Sequence, residues 1–338
     1  MITFLLVFLV ALGVTLVLTP RVAAWARQRA VVDIPRGEAK EMHSTPTPRL
    51  GELAIFPAFV LAVLVAWLLP VDRQDSTEAI RTVGLLAGAL VIFFLGIWDD
   101  VRDLPPAPQF VVLILASTIP ILAGVRLGEI PNPLTGTQSA LPVAVTFLLT
   151  LFWIVGTATT VNWIDGLDGL ATGVVAIAAA ILAVRSFFLG QESVALLPLA
   201  LLGCALGFLV FNFYPARIFL GGGAYLLGYL IGTISLFGGP KSATLLLVLA
   251  VPIIDVAWRI VSRVRSHRLP VYGDRGHLHQ RLFDMGMSQR RVVLLYYAIA
   301  GIFGLLAVAL PTAQTKFVAL VLTVIVVVIV LDRLSSRS

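Results

Sequence analysis

The chain has 338 residues, 59% of them hydrophobic and 12% charged, and its mean hydropathy is +1.00. That composition excludes an ordinary water-soluble domain, because so much apolar surface has to be solvated by lipid. A net charge of +6 would suit a nucleic-acid binder, but the placement of Lys and Arg is explained by membrane orientation, so no nucleic-acid partner is expected; the lone Cys204 excludes disulfide scaffolds and multi-thiolate metal sites.

Charge-poor apolar runs lie at about residues 2–19, 50–70, 82–98, 110–125, 143–161, 170–189, 194–213, 223–237, 243–262, 292–310 and 317–331. A helix crosses a bilayer core with roughly 20 residues. The predicted fold class is therefore an all-α, polytopic integral membrane protein with about 11 transmembrane helices and catalytic cytoplasmic loops. The first run has no basic segment before it and leads into further runs, which reads as a retained helix and not a cleaved signal peptide. No internal repeat interrupts the chain and no hydrophilic stretch is long enough for a soluble domain, so residues 1–338 read as a single membrane-embedded domain.

Eleven spans put the termini on opposite sides of the membrane and divide the connecting segments into two sets. One set holds 18 of the 24 Lys and Arg, including Arg21 to Arg49, Arg102, Arg217 and eight Arg from Arg259 to Arg291. The other holds only Arg73, Arg81, Arg126, Arg185, Lys241 and Lys316. The positive-inside rule makes the first set cytoplasmic, with the N-terminus outside and the C-terminus inside a plasma membrane. The two longest polar segments, 20–49 and 263–291, then both face the cytoplasm, and 126–142 is an external loop rich in turn residues.

Three cytoplasmic strings carry chemistry. Asp99-Asp100-Val101-Arg102-Asp103 follows an apolar run directly. Neighbouring carboxylates repel unless a cation, a proton or a basic ligand offsets them, which makes the string a natural place for Mg²⁺ bridging to phosphate oxygens, against the plainer reading of a solvated helix end. Asn162-Trp163-Ile164-Asp165-Gly166-Leu167-Asp168-Gly169 is the most specific string: Asp165 and Asp168 share a face if helical, and the glycines let a ligand approach. Asp274-Arg275-Gly276-His277-Leu278-His279-Gln280-Arg281 offers imidazoles and guanidinium forks suited to a polyanion, or else a basic loop that sets topology or touches anionic lipid headgroups. Asp255, deep in an apolar run, is expected to form an intrahelical ion pair with Arg259 four residues later.

In order, His43-Ser44-Thr45-Pro46-Thr47-Pro48-Arg49-Leu50-Gly51, Asp99-Asp100, Asn162 to Gly169, Asn212 to Gly223 and His277-Leu278-His279 resemble the polyprenyl-phosphate N-acetylhexosamine-1-phosphate transferases, most closely their N-acetylglucosamine branch. The resemblance implies that a polyprenyl phosphate attacks the β-phosphate of a UDP-N-acetylhexosamine, giving polyprenyl-diphosphate-sugar and UMP with Mg²⁺ required. It also implies that Asp99 and Asp100 engage the metal or prepare the lipid phosphate, and that Asn162, Asp165 and Asp168 belong to the nucleotide-sugar site. Asn212 and Phe219 would hold uridine and His277 and His279 would contact the diphosphate; Arg49, Arg275 and Arg281 are further candidates for binding substrate. A homodimer is a further expectation, since the Gly-rich face 221–232 permits close helix packing within or between chains.

Two departures from the family pattern stand out. After Phe219-Leu220-Gly221 the family carries an Asp that binds Mg²⁺, but this chain continues Gly222-Gly223-Ala224 and is one residue short before Gly228. Metal binding then falls to Asp99, Asp100, Asp165 or Asp168, or activity is weak or absent. Glu52 stands where a second Gly is usual, an exchange expected to alter the loop without touching the chemistry. The competing readings are an intramembrane prenyltransferase, whose acid pairs are usually spaced four apart, and a lipid-phosphate transporter or catalytically dead binding protein.

Overall fold

In lipid, backbone N–H and C=O groups have no water to turn to, and a helix satisfies them within one segment. The computed structural model describes residues 1–35, 45–73, 75–131, 138–239, 241–265, 277–310 and 312–335. Its helices are α1 (Ile2–Gln28), α2 (Glu52–Leu68), α3 (Glu78–Arg102), α4 (Pro106–Leu122), α5 (Val143–Ile164), α6 (Leu170–Phe188), α7 (Glu192–Asn212), α8 (Gly223–Ile234), α9 (Ser242–Val248), α10 (Ala250–Arg265), α11 (Leu278–Asp284), α12 (Gln289–Ala309) and α13 (Ala313–Ser335). Two antiparallel ribbons complete the described residues: β1 (Val32–Asp33) pairs with β2 (Thr47–Pro48), and β3 (Glu129–Pro131) with β4 (Gln138–Ala140).

Each of the eleven apolar runs falls on a helix or on the α9–α10 pair. Seven helices, α1, α3, α5, α6, α7, α12 and α13, are long and apolar enough to cross a bilayer, and α9 with α10 makes an eighth if its 78° bend lies within one span. The other three runs, α2, α4 and α8, are shorter apolar helices, so eleven full crossings is more than length and composition support.

Local sequence explains several helix ends. α3 stops where Asp103 turns left-handed at φ 46°, and α4 starts on Pro106, a residue whose missing N–H costs nothing in a first turn. α1 lies along α7, where a Cβ on Gly203 would come within 2.7 Å of the Phe8 carbonyl oxygen, so small residues set how closely these helices approach. The centre belongs to α6, α7 and α8; Phe208, Tyr229 and Leu230 are wholly buried there. Outward, α1, α4 and α13 expose Leu5, Leu115, Leu122, Val326 and many other large apolar side chains, a surface suited to lipid.

Candidate functional site

The site lies at the end of the bundle where α3, α5 and α7 stop and α2, α6, α8 and α11 begin. Arg49, just after β2, reaches Asp33 Oδ1 at 2.8 Å and Asp103 Oδ1 at 3.1 Å, tying the segment before α2 to the end of α3. The Phe219 N–H donates to the Pro48 carbonyl (2.8 Å) and the Gly51 N–H to that of Leu220 (3.2 Å), so the loop before α8 rests on the same segment.

Both aspartates at the end of α3 are gripped by hydrogen-bond donors. Asp99 Oδ1 accepts from the Leu104 N–H (2.9 Å) and Gln109 Nε2 (2.8 Å). Asp100 Oδ2 accepts from the Leu50 N–H (2.9 Å) and its Oδ1 from the Gly222 N–H (3.2 Å), joining the starts of α2 and α8 to α3. Gly221 makes this possible: its φ is +56°, and a Cβ there would lie 2.0 Å from Asp100 Oδ2.

Glu52 lies at the same end of the bundle, beside these aspartates. Its side chain is fully buried, Oε2 accepts from the Gly223 N–H (3.1 Å), and Oε1 has no partner among the described residues. Adjacent backbone amides thus hold Glu52 and Asp100 side by side, and the charges of Asp100 and Asp99 both bear on Glu52. Position 52 therefore places a carboxylate beside Asp100, where the sequence suggests only an altered loop.

Asp165 and Asp168 do not share a helical face. α5 ends at Ile164, Asp165 caps it, and both carboxylates sit in the turn before α6. Asp168 accepts from the Ala216 N–H (2.8 Å), and the Tyr297 hydroxyl anchors the turn by donating to the Gly169 carbonyl (2.5 Å). Burial first, then the charges of Asp168 and Asp100, push the Asp165 carboxyl up to about 8. Asn212 is buried with its amide engaged at both atoms: Thr172 Oγ1 donates to Oδ1 (2.7 Å) and Nδ2 donates to the Ile218 carbonyl (3.0 Å). It thereby holds the loop that carries the half-buried Phe219.

Asp255 does not pair with Arg259. Its carboxylate turns to the start of α11, where Oδ2 lies 2.8 Å from His277 Nδ1 and Oδ1 accepts from the Leu278 N–H at 3.0 Å. Two groups on another element outcompete a neighbour on the same helix, because they satisfy both oxygens of a fully buried carboxylate. The His277 ring stacks on His279 at 5.7 Å and meets Trp163 edge-on at 5.7 Å, beside which lies the Arg263 guanidinium. His279 is fully buried with neither ring nitrogen partnered among the described residues, and a Cβ on Gly166 would lie 2.6 Å from its Nε2. Burial and then His277 hold the His279 imidazole down at about 3, with Asp255 opposing them. Asn162 and Arg281 are half-buried at the same end, whereas Arg275, with His43 and Asp274, lies outside the described residues.

The strings thus converge: the charge of Asp100 bears on both Asp165 and Glu52, while Arg49, whose positive charge bears on Asp99 and Asp100, bridges Asp33 and Asp103. Among the described residues no three His, Cys, Asp or Glu already converge as ready-made metal ligands. The surplus of hard oxygen donors and the orphaned Glu52 Oε1 nonetheless fit Mg²⁺, which is commonly held by one or two protein carboxylates with substrate phosphates and water.

Residues 82–239 match the model of glycosyl transferase family 4. The chain is 34% identical over 320 residues to the probable undecaprenyl-phosphate N-acetylglucosaminyl 1-phosphate transferase of Bacillus subtilis, covering 93% of this chain and 86% of that one. It is 33% identical over 339 residues to the decaprenyl-phosphate N-acetylglucosaminephosphotransferase of Mycobacterium leprae, covering 92% and 83%. The phospho-N-acetylmuramoyl-pentapeptide-transferase of Staphylococcus aureus is 28% identical over 315 residues, covering 88% and 96%.

Proposed function

The chain belongs to glycosyl transferase family 4, and from that membership we propose that it transfers N-acetylglucosamine 1-phosphate from a UDP-sugar to a polyprenyl phosphate, the first membrane step of a cell-envelope glycan. The observation that carries this reading is the gathering of Asp99, Asp100, Asp165, Asp168, His277 and His279 at one end of an apolar bundle, where a lipid phosphate and a nucleotide sugar can meet.

The lipid phosphate oxygen forms a bond to the β-phosphorus of the nucleotide sugar while the bond from that phosphorus to the oxygen bridging it to the α-phosphate breaks; UMP leaves with that oxygen and its electron pair. The barrier is one of positioning and charge, since anionic groups must approach each other. Mg²⁺, when bound, supplies neutralisation of the phosphate oxygens, and Asp99, Asp100 and Glu52 are the residues that would hold it. The remaining groups act directly. Asp255 fixes His277 with Nδ1 toward the carboxylate, leaving Nε2 for the diphosphate. Arg49 and Arg281 supply positive charge, and Asn212 keeps Phe219 placed against the nucleoside. The assignment of 18 of the 24 Lys and Arg to one set of connecting segments in the sequence supports a cytoplasmic site with the N-terminus outside.

The test is UMP release by purified protein given undecaprenyl phosphate and UDP-N-acetylglucosamine, with Mg²⁺ or with chelator, beside a variant carrying Asp inserted between Gly221 and Gly222. Release by both proteins, abolished by chelator, is the expected result. Release by the insertion variant alone would mean that this chain binds its substrates without turning them over, a reading favoured by the shortened loop. Silence from both, in folded samples, would sink the assignment of substrates.

A further inference from the structure

At the end of the bundle away from Asp100, α6 stops at Phe188, α9 starts after Lys241 and α13 starts at Ala313. Lys241 is 5% exposed and its Nζ donates to the Phe237 carbonyl at 2.5 Å. Lys316 is 8% exposed and its Nζ donates to Thr244 Oγ1 at 3.1 Å. The Thr244 N–H bonds in turn to the Lys241 carbonyl (3.0 Å), so the two ammonium groups flank a single turn of α9. The half-buried Arg185 guanidinium is close enough for its charge to bear on both.

Among the described residues none of these three cations meets a carboxylate. Arg73 and Arg81, at the same end, do: they pair with Glu78 and Asp75. Ammonium groups buried against neutral oxygens, with a third positive charge beside them, leave a net charge that the fold does not offset, and that is costly until an anion enters. Burial and then Arg185 lower the Lys241 ammonium to about 8, consistent with a site short of negative charge. Only six Lys and Arg lie in the segments assigned to this side, and three of them gather here. Phe188, three residues after Arg185, and Phe317, next to Lys316, are exposed at the ends of α6 and α13.

We propose that Arg185, Lys241 and Lys316 form a binding site for the phosphate of an anionic phospholipid headgroup, whose acyl chains lie against Phe188 and Phe317. A free phosphate ion would satisfy the cations but would make no use of the exposed rings, so the lipid is the better fit. The site is separate from the aspartate end and stands whether or not the transferase reading does.

The experiment is native mass spectrometry of the full-length chain titrated with phosphatidylglycerol, phosphatidylcholine or inorganic phosphate. The wild type is expected to retain one more tightly held phosphatidylglycerol than the double variant K241Q/K316Q, whose affinity at that step falls about tenfold or more. Phosphatidylcholine is not retained there, and millimolar inorganic phosphate does not displace the lipid. R185Q, at a side chain only half-buried, weakens the same step and serves where the double variant fails to fold. Equal phosphatidylglycerol retention by the wild type and R185Q would overturn the site, and displacement by inorganic phosphate would overturn its lipid identity.

Discussion

The two halves of the candidate site are built by opposite means. On the α3 side, Asp99 and Asp100 receive donors from Leu104, Gln109, Leu50 and Gly222, three of them backbone N–H groups that no side-chain substitution removes. On the α11 side His277 is fixed by one carboxylate, Asp255, and His279 stacks on it with neither ring nitrogen hydrogen-bonded among the described residues. The acid half is organised by the backbone before any ligand arrives, and the imidazole half hangs from a single buried side chain.

Breaking the acid half should have the largest effect. Asp100→Asn removes a charge and leaves one acceptor oxygen for two amides, those of Leu50 and Gly222. Initial rates of UMP release are expected to fall about 10³-fold, in line with the loss of a preorganised electrostatic element. A rate within tenfold of the wild type would reduce Asp100 to a clamp between α2, α3 and α8. Next comes Asp255→Asn, which still accepts from the Leu278 N–H but presents an N–H to His277 Nδ1, so the carboxylate that orients the ring and balances its charge beside a diphosphate is gone. A loss of about 10²-fold in kcat is expected. If a structural fault were responsible, the melting temperature would fall with it; an unchanged Tm with the rate lost supports the orienting role.

The contrast also has a pH signature. His279 titrates at about 3 in the fold against an ordinary value near 6.5. The unfolded chain therefore binds the extra proton between those values, and stability is lost as pH falls below 6.5. At pH 5 the cost is about 2 kcal/mol. Melting curves of the wild type and His279→Asn at pH 7 and pH 5 isolate it, because Asp165, pushed up to about 8, contributes with the opposite sign in both proteins. The same pH dependence in the two proteins would show that His279 is solvated or paired.

How far the sequence could be read follows from which forces act locally. Apolar runs specify helices wherever lipid is the solvent, and each run fell on a helix or on the bent α9–α10 pair. The Asp99-Asp100 and Asp165–Asp168 strings were legible because acids at a membrane boundary need a partner. Partners themselves were not: Asp255 meets His277, 22 residues away, and Glu52 meets Gly223, 171 residues away. An i,i+4 rule points Asp255 to Arg259, but such rules describe isolated helices, and burial hands the choice to whichever element satisfies both oxygens. The shared face of Asp165 and Asp168 depends on the helix continuing through them, and α5 ends one residue earlier at Ile164.

The smallest effect, and the finest test of the acid half, concerns Glu52. Glu52→Gln keeps an oxygen for the Gly223 N–H and directs an N–H₂ group into the space shared with Asp100, where burial and then the Asp100 charge push the wild-type carboxyl well above its ordinary range. Without a cation the variant should be at least as stable as the wild type, because the buried amide needs no proton to stay neutral. With a cation it should be worse. Titration with Mn²⁺, read by electron paramagnetic resonance and needing no substrate, is expected to show affinity about tenfold weaker in the variant, the loss of one carboxylate from a hard-oxygen site. Equal Mn²⁺ affinity in both proteins would mean that Glu52 carries a proton and that the cation rests on Asp99 and Asp100 alone. A weaker variant with an undiminished Tm instead makes the unpartnered Oε1 a ligand position, and explains why the shortened glycine loop places an acid from α2 beside Asp100.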